Sequence, residues 1–409
     1  MNYDLIIIGG GAAGLICAGV ASSRGKAVIV LEKMPRPARK ILVTGKGRCN
    51  LTNNCITDEL LAAVYSNPRF LHSAFAAFSP QDTIALFENL GVPLKTERGA
   101  RVFPVSDRAM DIADALVGYA KRGGAKILHK EAASLWIEND ILLGVITSSG
   151  ERFAGGSVVI ATGGLSYPST GSTGDGYKLA EQAGHKIITP RPSLIPIETH
   201  ERWPADAMGL SLRNVTLTVR KAGKKKPVFH EMGELLFTHF GVSGPLVLSA
   251  SALIAGNIAD YSMQIDLKPA LDEQTLDARI LRDLSEYSGR EIANALIDLL
   301  PSGLIPIIVG LSEIDPHTRA REITKEQRRG ILQLLKGLPL TPKVLRPIEE
   351  AVVTAGGVKV SEVDPKTMQS KILQGLYFAG EVLDLNARTG GFNLQIAFST
   401  GYAAGMSIE

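Results

Sequence analysis

Cysteine is scarce in this sequence: Cys17, Cys49 and Cys55 are the only three in 409 residues. Secreted folds stapled by disulfides crowd many cysteines into a short chain, so an odd, sparse set points to a reducing, cytoplasmic setting. An excess of either charge is also missing, since 44 Lys and Arg against 41 Asp and Glu leave +3. With aromatics at 6% there is little to stack bases on, and no nucleic-acid partner is favoured by composition. Long apolar runs are absent except from Leu5 to Ala21, where three successive glycines weaken any spanning helix. Asp4 stands at its start and no basic residue precedes it, so neither an export signal nor a membrane partner is expected. Glycine is what the chain has in plenty, 42 residues, against an average near 7%. Together with 45% hydrophobic residues, this describes a folded chain with several sharp turns or close backbone approaches.

The opening YDLIIIGGGAAGLICAGVASSRGKAVIVLEK divides into an apolar run (Tyr3 to Ile8), a glycine turn, an alanine-rich helical stretch and a second apolar run (Ala27 to Leu31). That is a βαβ unit. Its turn reads Gly9-x-Gly11-x-x-Gly14: a tight turn, a close approach of backbone to a pyrophosphate, and a close packing of helix on strand. The helix N-terminus, Ala12 and Ala13, then faces the phosphates. Glu32 ends the second apolar run, where a carboxylate accepts hydrogen bonds from a ribose diol. The fingerprint says dinucleotide and leaves NAD and FAD open.

Two distant segments bear on that choice. One is Ala161-Thr162-Gly163-Gly164, which closes a buried-strand candidate; the other is GLYFAGEVLD (Gly375 to Asp384), followed by TGGFNLQIAFSTGYAAG. Together with the fingerprint they resemble the two-dinucleotide-binding FAD flavoproteins, in which a C-terminal strand and helix return to complete the flavin site. That resemblance implies that Glu381, after Gly380, holds a ribityl hydroxyl. A narrower signature adds ARKILVTGKGRCNLTN (Ala38 to Asn53), RGARVFPVSDRA (Arg98 to Ala109), ATGGLSYPSTGSTGDGY (Ala161 to Tyr177) and TAGGVKVSEVDPKTMQSK (Thr354 to Lys371). This set is similar to the bacterial BaiN-like, YhiN-like or aminoacetone-oxidase-like flavoproteins over essentially the whole chain, and more broadly to fumarate reductase flavoproteins. It implies non-covalent FAD contacted by Lys33, Lys40, Thr44, Gly45, Gly47, Arg48, Cys49, Asn50, Asp384, Gly391, Phe392, Asn393 and Leu394, besides the residues of the fingerprint. It also implies an α/β fold: a discontinuous Rossmann-like FAD-binding domain with an inserted β-barrel-like domain and a small helical subdomain.

The residue pattern agrees with that plan. Cofactor signals occupy 1–190 and 337–409. Between them, 191–268 alternates β-branched stretches with turns around a lysine cluster (Lys221 to Lys226), and 269–336 changes to helical spacing punctuated by Pro301, Pro306 and Pro316. One departure stands out: Arg388 lies in Asn386-Ala387-Arg388-Thr389-Gly390-Gly391, where the family carries a D-G-x-T-G-G type sequence. In fumarate reductases an arginine just before the paired glycines binds the substrate carboxylate. Arg388 is therefore a candidate for catalysis, with Tyr167 and His239 as further acid–base candidates.

The helix beginning near Asn393 would aim its N–H groups at the flavin edge that becomes negative on reduction. Cys49 and Cys55 stand one residue too far apart for the redox pair of disulfide-reducing relatives, and the histidines and cysteines show no metal-ligand spacing. No second G-x-G-x-x-G unit follows, so NAD(P)H enters only as a transient substrate, and oxygen remains open as the other partner. The expected function is hydride transfer between flavin N5 and a small organic substrate. An RNA-modifying flavoprotein and a non-catalytic flavin sensor are the alternatives, and the oligomeric state is left open.

Overall fold

A computed structural model describes residues 2–409. The chain forms two compact units: residues up to Ser193 together with Pro347–Glu409, and Leu194–Arg346. The first is a Rossmann-like α/β domain. Its seven-stranded sheet runs Lys126–His129, Val28–Glu32, Asn2–Ile8, Arg152–Ile160, Ile141–Thr147, Ala132–Glu138. The first four are parallel neighbours, and Leu376–Phe378 adds a further parallel strand along Val158–Ile160. Arg152–Ile160 thus serves two partners on one edge, an antiparallel strand at its start and the returning C-terminal strand at its end. Leu5–Ile8, Val28–Leu31 and Val158–Ile160 are buried without alternation, as strands are when helices cover both faces of a parallel sheet.

The first helix, Ala12–Ser23, is buried from Ala13 to Ser22 because the closing helix, Phe392–Met406, lies against it. Small residues set their separation. A Cβ at Gly401 would sit 2.4 Å from Ala13 O, and one at Gly405 2.9 Å from Cys17 O. Chain leaves this domain along Ile187–Ser193 and comes back along Val353–Val358, and the two segments pair antiparallel with Ser193 opposite Val353. Departure and return are therefore stitched together at one place in the Rossmann-like domain.

The second unit holds a seven-stranded antiparallel sheet in the order Leu338–Leu340, Tyr261–Asp266, Ser211–Lys221, Phe229–Thr238, Gly241–Ser243, Ile197–Thr199, Pro342–Leu345. Helices Glu273–Glu286 and Lys325–Lys336 share one apolar core with it, Ile280, Ile331 and Leu335 joining Leu217, Val219 and Ile265. Both helices start on side-chain caps, Asp272 accepting from Thr275 N–H and Thr324 from Gln327 N–H.

One buried polar site in the Rossmann-like domain makes stability depend on pH. The ring of His185 is fully buried, and its Nε2 lies 2.7 Å from Ser370 Oγ. Ser370 Oγ already accepts from the N–H groups of Ile372 and Leu373, so its proton goes to the imidazole. Nδ1 lies 3.4 Å from Glu362 Oε2 but makes no hydrogen bond. Burial holds the imidazole below its ordinary pKa, outweighing the opposing pull of Glu362. A histidine kept neutral by the fold contributes stability above its unfolded pKa and loses it as pH falls toward the depressed value. Wild type should therefore lose melting temperature as pH drops below about 6.5. His185→Gln should flatten that slope while lowering the melting temperature at pH 8; an unchanged slope would remove His185 from the account.

Candidate functional site

The first strand delivers Gly9 with φ +102°, and a Cβ there would lie 2.6 Å from Ala161 O. Only glycine fits both constraints. Gly10 N–H donates to Glu32 Oε2 and Met34 N–H to Glu32 Oε1, each at 2.7 Å, so this carboxylate pins the turn to the end of the second strand. Each oxygen keeps a further lone pair for a diol. A Cβ at Gly11 would meet no protein atom within 4 Å. The helix that follows has no side-chain cap and no acidic residue in its first turn, so the N–H groups of Ala12, Ala13 and Gly14 are offered outward, to an anion.

The segments after the other strands converge beside this turn. Lys40 Nζ donates to Glu381 Oε2 and to Ser166 Oγ, both at 2.6 Å. Glu381 Oε1 accepts from Ser166 Oγ at 2.9 Å and from Thr354 N–H at 2.8 Å. Gly164 lies against this node, its missing Cβ only 2.4 Å from Thr354 Oγ1. One half-buried carboxylate thus ties together four stretches of chain, and one of its lone pairs, on Oε2, is left over. Gly380 fits against the first helix, with φ +78° and a Cβ position 2.9 Å from Ala13 Cβ, and its N–H donates to Thr400 Oγ1 at 2.9 Å. Asp384 accepts from the Asn67 amide at 3.0 Å.

Thr162 and Gly163 border the loop leading to helix Asp175–Gln182, with Thr162 Oγ1 filling the space a side chain at Gly176 would need. Lys33 is ion-paired with Asp175 and also bonded to Thr173, so its charge serves that loop. Tyr177, two residues on, is a site residue that the motif reading passed over. Its hydroxyl is buried with no partner, and burial, then Glu381, then Asp384, push its pKa up. Its only sequence signal was its place directly after Gly174-Asp175-Gly176.

The closing helix is positioned by backbone contact. Its N-cap Gly391 has φ +97°, and a Cβ there would lie 2.4 Å from Thr52 O. The first turn carries neither a side-chain cap nor an acid. The amide of Asn50 accepts from Gly391 N–H at 3.1 Å and donates to Thr52 O at 3.2 Å. In the second turn Gln395 is fully buried. It accepts from Thr52 Oγ1 (2.6 Å) and Thr83 Oγ1 (2.8 Å), and donates to Phe78 O (3.1 Å) and Ser399 Oγ (3.0 Å). Gln395→Leu would orphan Thr52 Oγ1, at about 1–3 kcal/mol, and remove three further bonds at about 1 kcal/mol each from Thr83, Phe78 O and Ser399, which keep their bonds to Ser79 O and to each other. The expected outcome is a loss of roughly 3 kcal/mol in urea unfolding; a loss under 1 kcal/mol would show that the site relaxes around the change.

The Asn393 side chain turns back on the preceding loop. Oδ1 accepts from Ala387 N–H and Nδ2 donates to Ala387 O, both at 2.9 Å, with Arg388 O at 3.3 Å. Arg388 N–H in turn donates to Ala63 O at 3.0 Å. The guanidinium of Arg388 is half-buried over the buried Phe392 ring, 5.2 Å from its centroid, and has no carboxylate partner among the described residues. Leu394 is half-buried in the same turn. Arg48 differs from Arg388: Glu97 and Asp107 pair with it, and it stacks on Phe103. Around it, Gly45 (φ +57°) and Gly47 (φ +84°) shape a loop in which Thr44 Oγ1 donates to Ile41 O and burial pushes the Cys49 thiol up to about 12. All three cysteines are free, buried thiols.

Tyr167 is half-buried in the Rossmann-like domain with φ +53°. His239 belongs to the other unit, exposed in a turn with its ring edge-on to Phe240. Among the described residues no His, Cys, Asp or Glu cluster could hold a metal ion, and no helix is long and apolar enough to cross a membrane.

These residues fit an adenine dinucleotide. There is open space at Gly11, two uncapped helix N-termini at Ala12 and Phe392, an acid at Glu32 with lone pairs left over, and an orphaned buried hydroxyl at Tyr177 suited to a polyhydroxy chain. Comparison with known proteins agrees. The model of the HI0933-like protein Rossmann domain matches residues 3–407. A ribosomal RNA dihydrouridine synthase of Escherichia coli (strain K12) is 32% identical over 411 residues, covering 100% of this chain and 98% of that one. A 3-dehydro-bile acid delta(4,6)-reductase of Clostridium scindens is 32% identical over 409 residues, covering 98% and 97%. A 3-ketosteroid delta1-dehydrogenase structure from Sterolibacterium denitrificans shares the fold, with TM-score 0.53 at 14% identity and 100% and 99% of the two chains covered. With a family match along nearly its whole length and a site shaped for the dinucleotide, this chain belongs to the HI0933-like Rossmann family and is an FAD-dependent oxidoreductase.

Proposed function

We propose that this flavoprotein reduces a carbon–carbon double bond conjugated with a carbonyl, and that the substrate is a uracil ring within ribosomal RNA. The two relatives differ in substrate but share a bond type: uracil C5=C6 and the ring double bonds of a 3-oxo-Δ4,6 steroid are both conjugated with a carbonyl. FAD, when bound and reduced by two electrons, would supply the hydride chemistry, and the acceptor is the carbon farther from the carbonyl. Negative charge then builds on the carbonyl oxygen until the neighbouring carbon takes a proton.

The observation that carries this reading is Arg388. A guanidinium free of carboxylates, with its backbone held by Asn393 and Ala63, is an oxyanion donor set in place before the charge develops. The uncapped N-terminus at Phe392 and the lone pairs at Glu32 and Glu381 would hold the cofactor, and Tyr177 would donate to its polyhydroxy chain. Tyr167 is the proton donor we favour for the second carbon within this domain. Each turnover needs two electrons, for which a reduced nicotinamide is the proposed source, visiting transiently in the cytoplasm.

Anaerobic incubation of the purified protein with NADPH or NADH and deproteinised ribosomal RNA, followed by nucleoside mass spectrometry, tests the reading. Uridine gaining two hydrogens is the expected result. A second reading, a small enone substrate, rests on the bile-acid relative. It would be preferred if the RNA came back unreduced while a 3-oxo-Δ4 steroid reoxidised the reduced flavin. Flavin that no donor or acceptor turns over would leave a sensor.

A further inference from the structure

We infer that the hairpin joining strands Ser211–Lys221 and Phe229–Thr238 is a docking element for the RNA phosphate backbone, an inference that rests on the RNA reading above and deepens it. Between Asp206 and Glu231 the chain has no carboxylate, yet it carries six cations: Arg213, Arg220, Lys221, Lys224, Lys225 and Lys226. The tip is a defined turn. Lys224 N–H donates to Lys221 O at 3.0 Å, Val228 N–H to Val219 O at 2.8 Å and Ala222 N–H to Asp260 O at 2.7 Å. Lys221 lies over the Tyr261 ring at 5.1 Å, while Lys224, Lys225 and Lys226 are exposed and make no ion pair among the described residues.

Elsewhere in the same unit cations have been matched with acids, as in Arg279–Asp283, Arg328–Asp277, Lys336–Asp266 and Arg346–Glu198. At the hairpin tip the acid brought alongside is Asp260, in the turn just before strand Tyr261–Asp266, one charge against three successive lysines. Beyond the tip the rows opposite Arg220 and Thr218 are Ser262, Gln264 and His230, hydrogen-bonding groups that add no negative charge. Three adjacent ammonium groups on a fixed turn repel one another, and a polyanion relieves that repulsion while releasing its own condensed counterions. The chain's +3 net charge hides this patch, because it averages over the whole molecule.

The test is binding of the full-length protein to deproteinised bacterial ribosomal RNA as a function of KCl concentration. Wild type is compared with the triple variant Lys224→Gln, Lys225→Gln, Lys226→Gln and with a control pair exposed on helix Lys325–Lys336, Lys325→Gln with Arg329→Gln. Each phosphate contact contributes a slope of about 0.7–0.9 in log K against log salt. The triple variant should therefore bind at least tenfold more weakly at low salt, with a slope shallower by about 2, while the control keeps the wild-type slope. Circular dichroism and flavin absorbance identical to wild type separate lost docking from lost folding, and the three single variants repeat the measurement if the triple does not fold. Wild-type binding with an unchanged slope in the triple variant overturns the hairpin assignment and leaves the RNA reading standing. No binding by wild type even at low salt overturns both.

Discussion

Arg388→Ala is expected to lower kcat on ribosomal RNA by about 10²-fold, the usual consequence of deleting one preorganised donor to a developing oxyanion. FAD content and melting temperature should stay close to wild type. The side chain lies over Phe392 without a carboxylate partner, so its removal orphans no buried acid. Ground-state binding of a neutral carbonyl draws little on the guanidinium, so the loss should fall on kcat more than on KM. Arg388→Lys keeps the charge but loses the planar fork, and should recover only part of the rate. Asn393→Ala removes the clamp on Ala387 and Arg388 O and should also reduce kcat. Because Asn393 acts through Arg388, the double variant should be no slower than Arg388→Ala alone. Rates within twofold of wild type for Arg388→Ala would end the oxyanion role and, with it, the main support for conjugate reduction.

The local parts of this site were legible in the sequence. Gly9, Gly11, Gly14 and Glu32 are read from one βαβ unit because strand, turn and helix follow each other within some thirty residues. The pairings across the chain were not. Nothing near Lys33 announces Asp175, and nothing near Arg48 announces Glu97 and Asp107, so the ion pairs that tie these two cations to distant loops are seen only in the structure. Asn393 is similar: the helix start was found, but the amide turns back onto Ala387, a direction set by a loop conformation that periodicity does not encode. Gln395 and Thr400 read as polar interruptions in an apolar helix; within that helix they reach Ser399 Oγ and Ile396 O, and their remaining partners, Thr52, Thr83, Phe78 O and Gly380 N–H, arrive from distant segments. Tyr177 stands out in the structure by its missing partner, which its place after Gly174-Asp175-Gly176 does not announce.

Two alanine substitutions three residues apart should separate the fold from the cofactor. At Gly14 a Cβ would sit 2.0 Å from Gly9 O, a backbone atom that cannot turn aside. The gain of about 1 kcal/mol in helix propensity is outweighed by overpacking of roughly 3 kcal/mol, so Gly14→Ala should lower the melting temperature of the cofactor-stripped protein and abolish FAD uptake together. Gly11 has φ −84° and ψ −165°, open to any residue, and no protein atom lies within 4 Å of its Cβ position. Gly11→Ala therefore costs only the lost N-cap preference, about 1 kcal/mol. The added methyl stands in the space before the uncapped N–H groups of the first helix, where a pyrophosphate must come close to backbone. FAD affinity should fall tenfold or more while the stripped protein melts within a few degrees of wild type, measured by flavin retention and thermal unfolding on the same samples. If Gly11→Ala bound FAD as wild type does, the phosphates would pass elsewhere; if it unfolded like Gly14→Ala, the space at Gly11 would belong to the fold and not to the ligand.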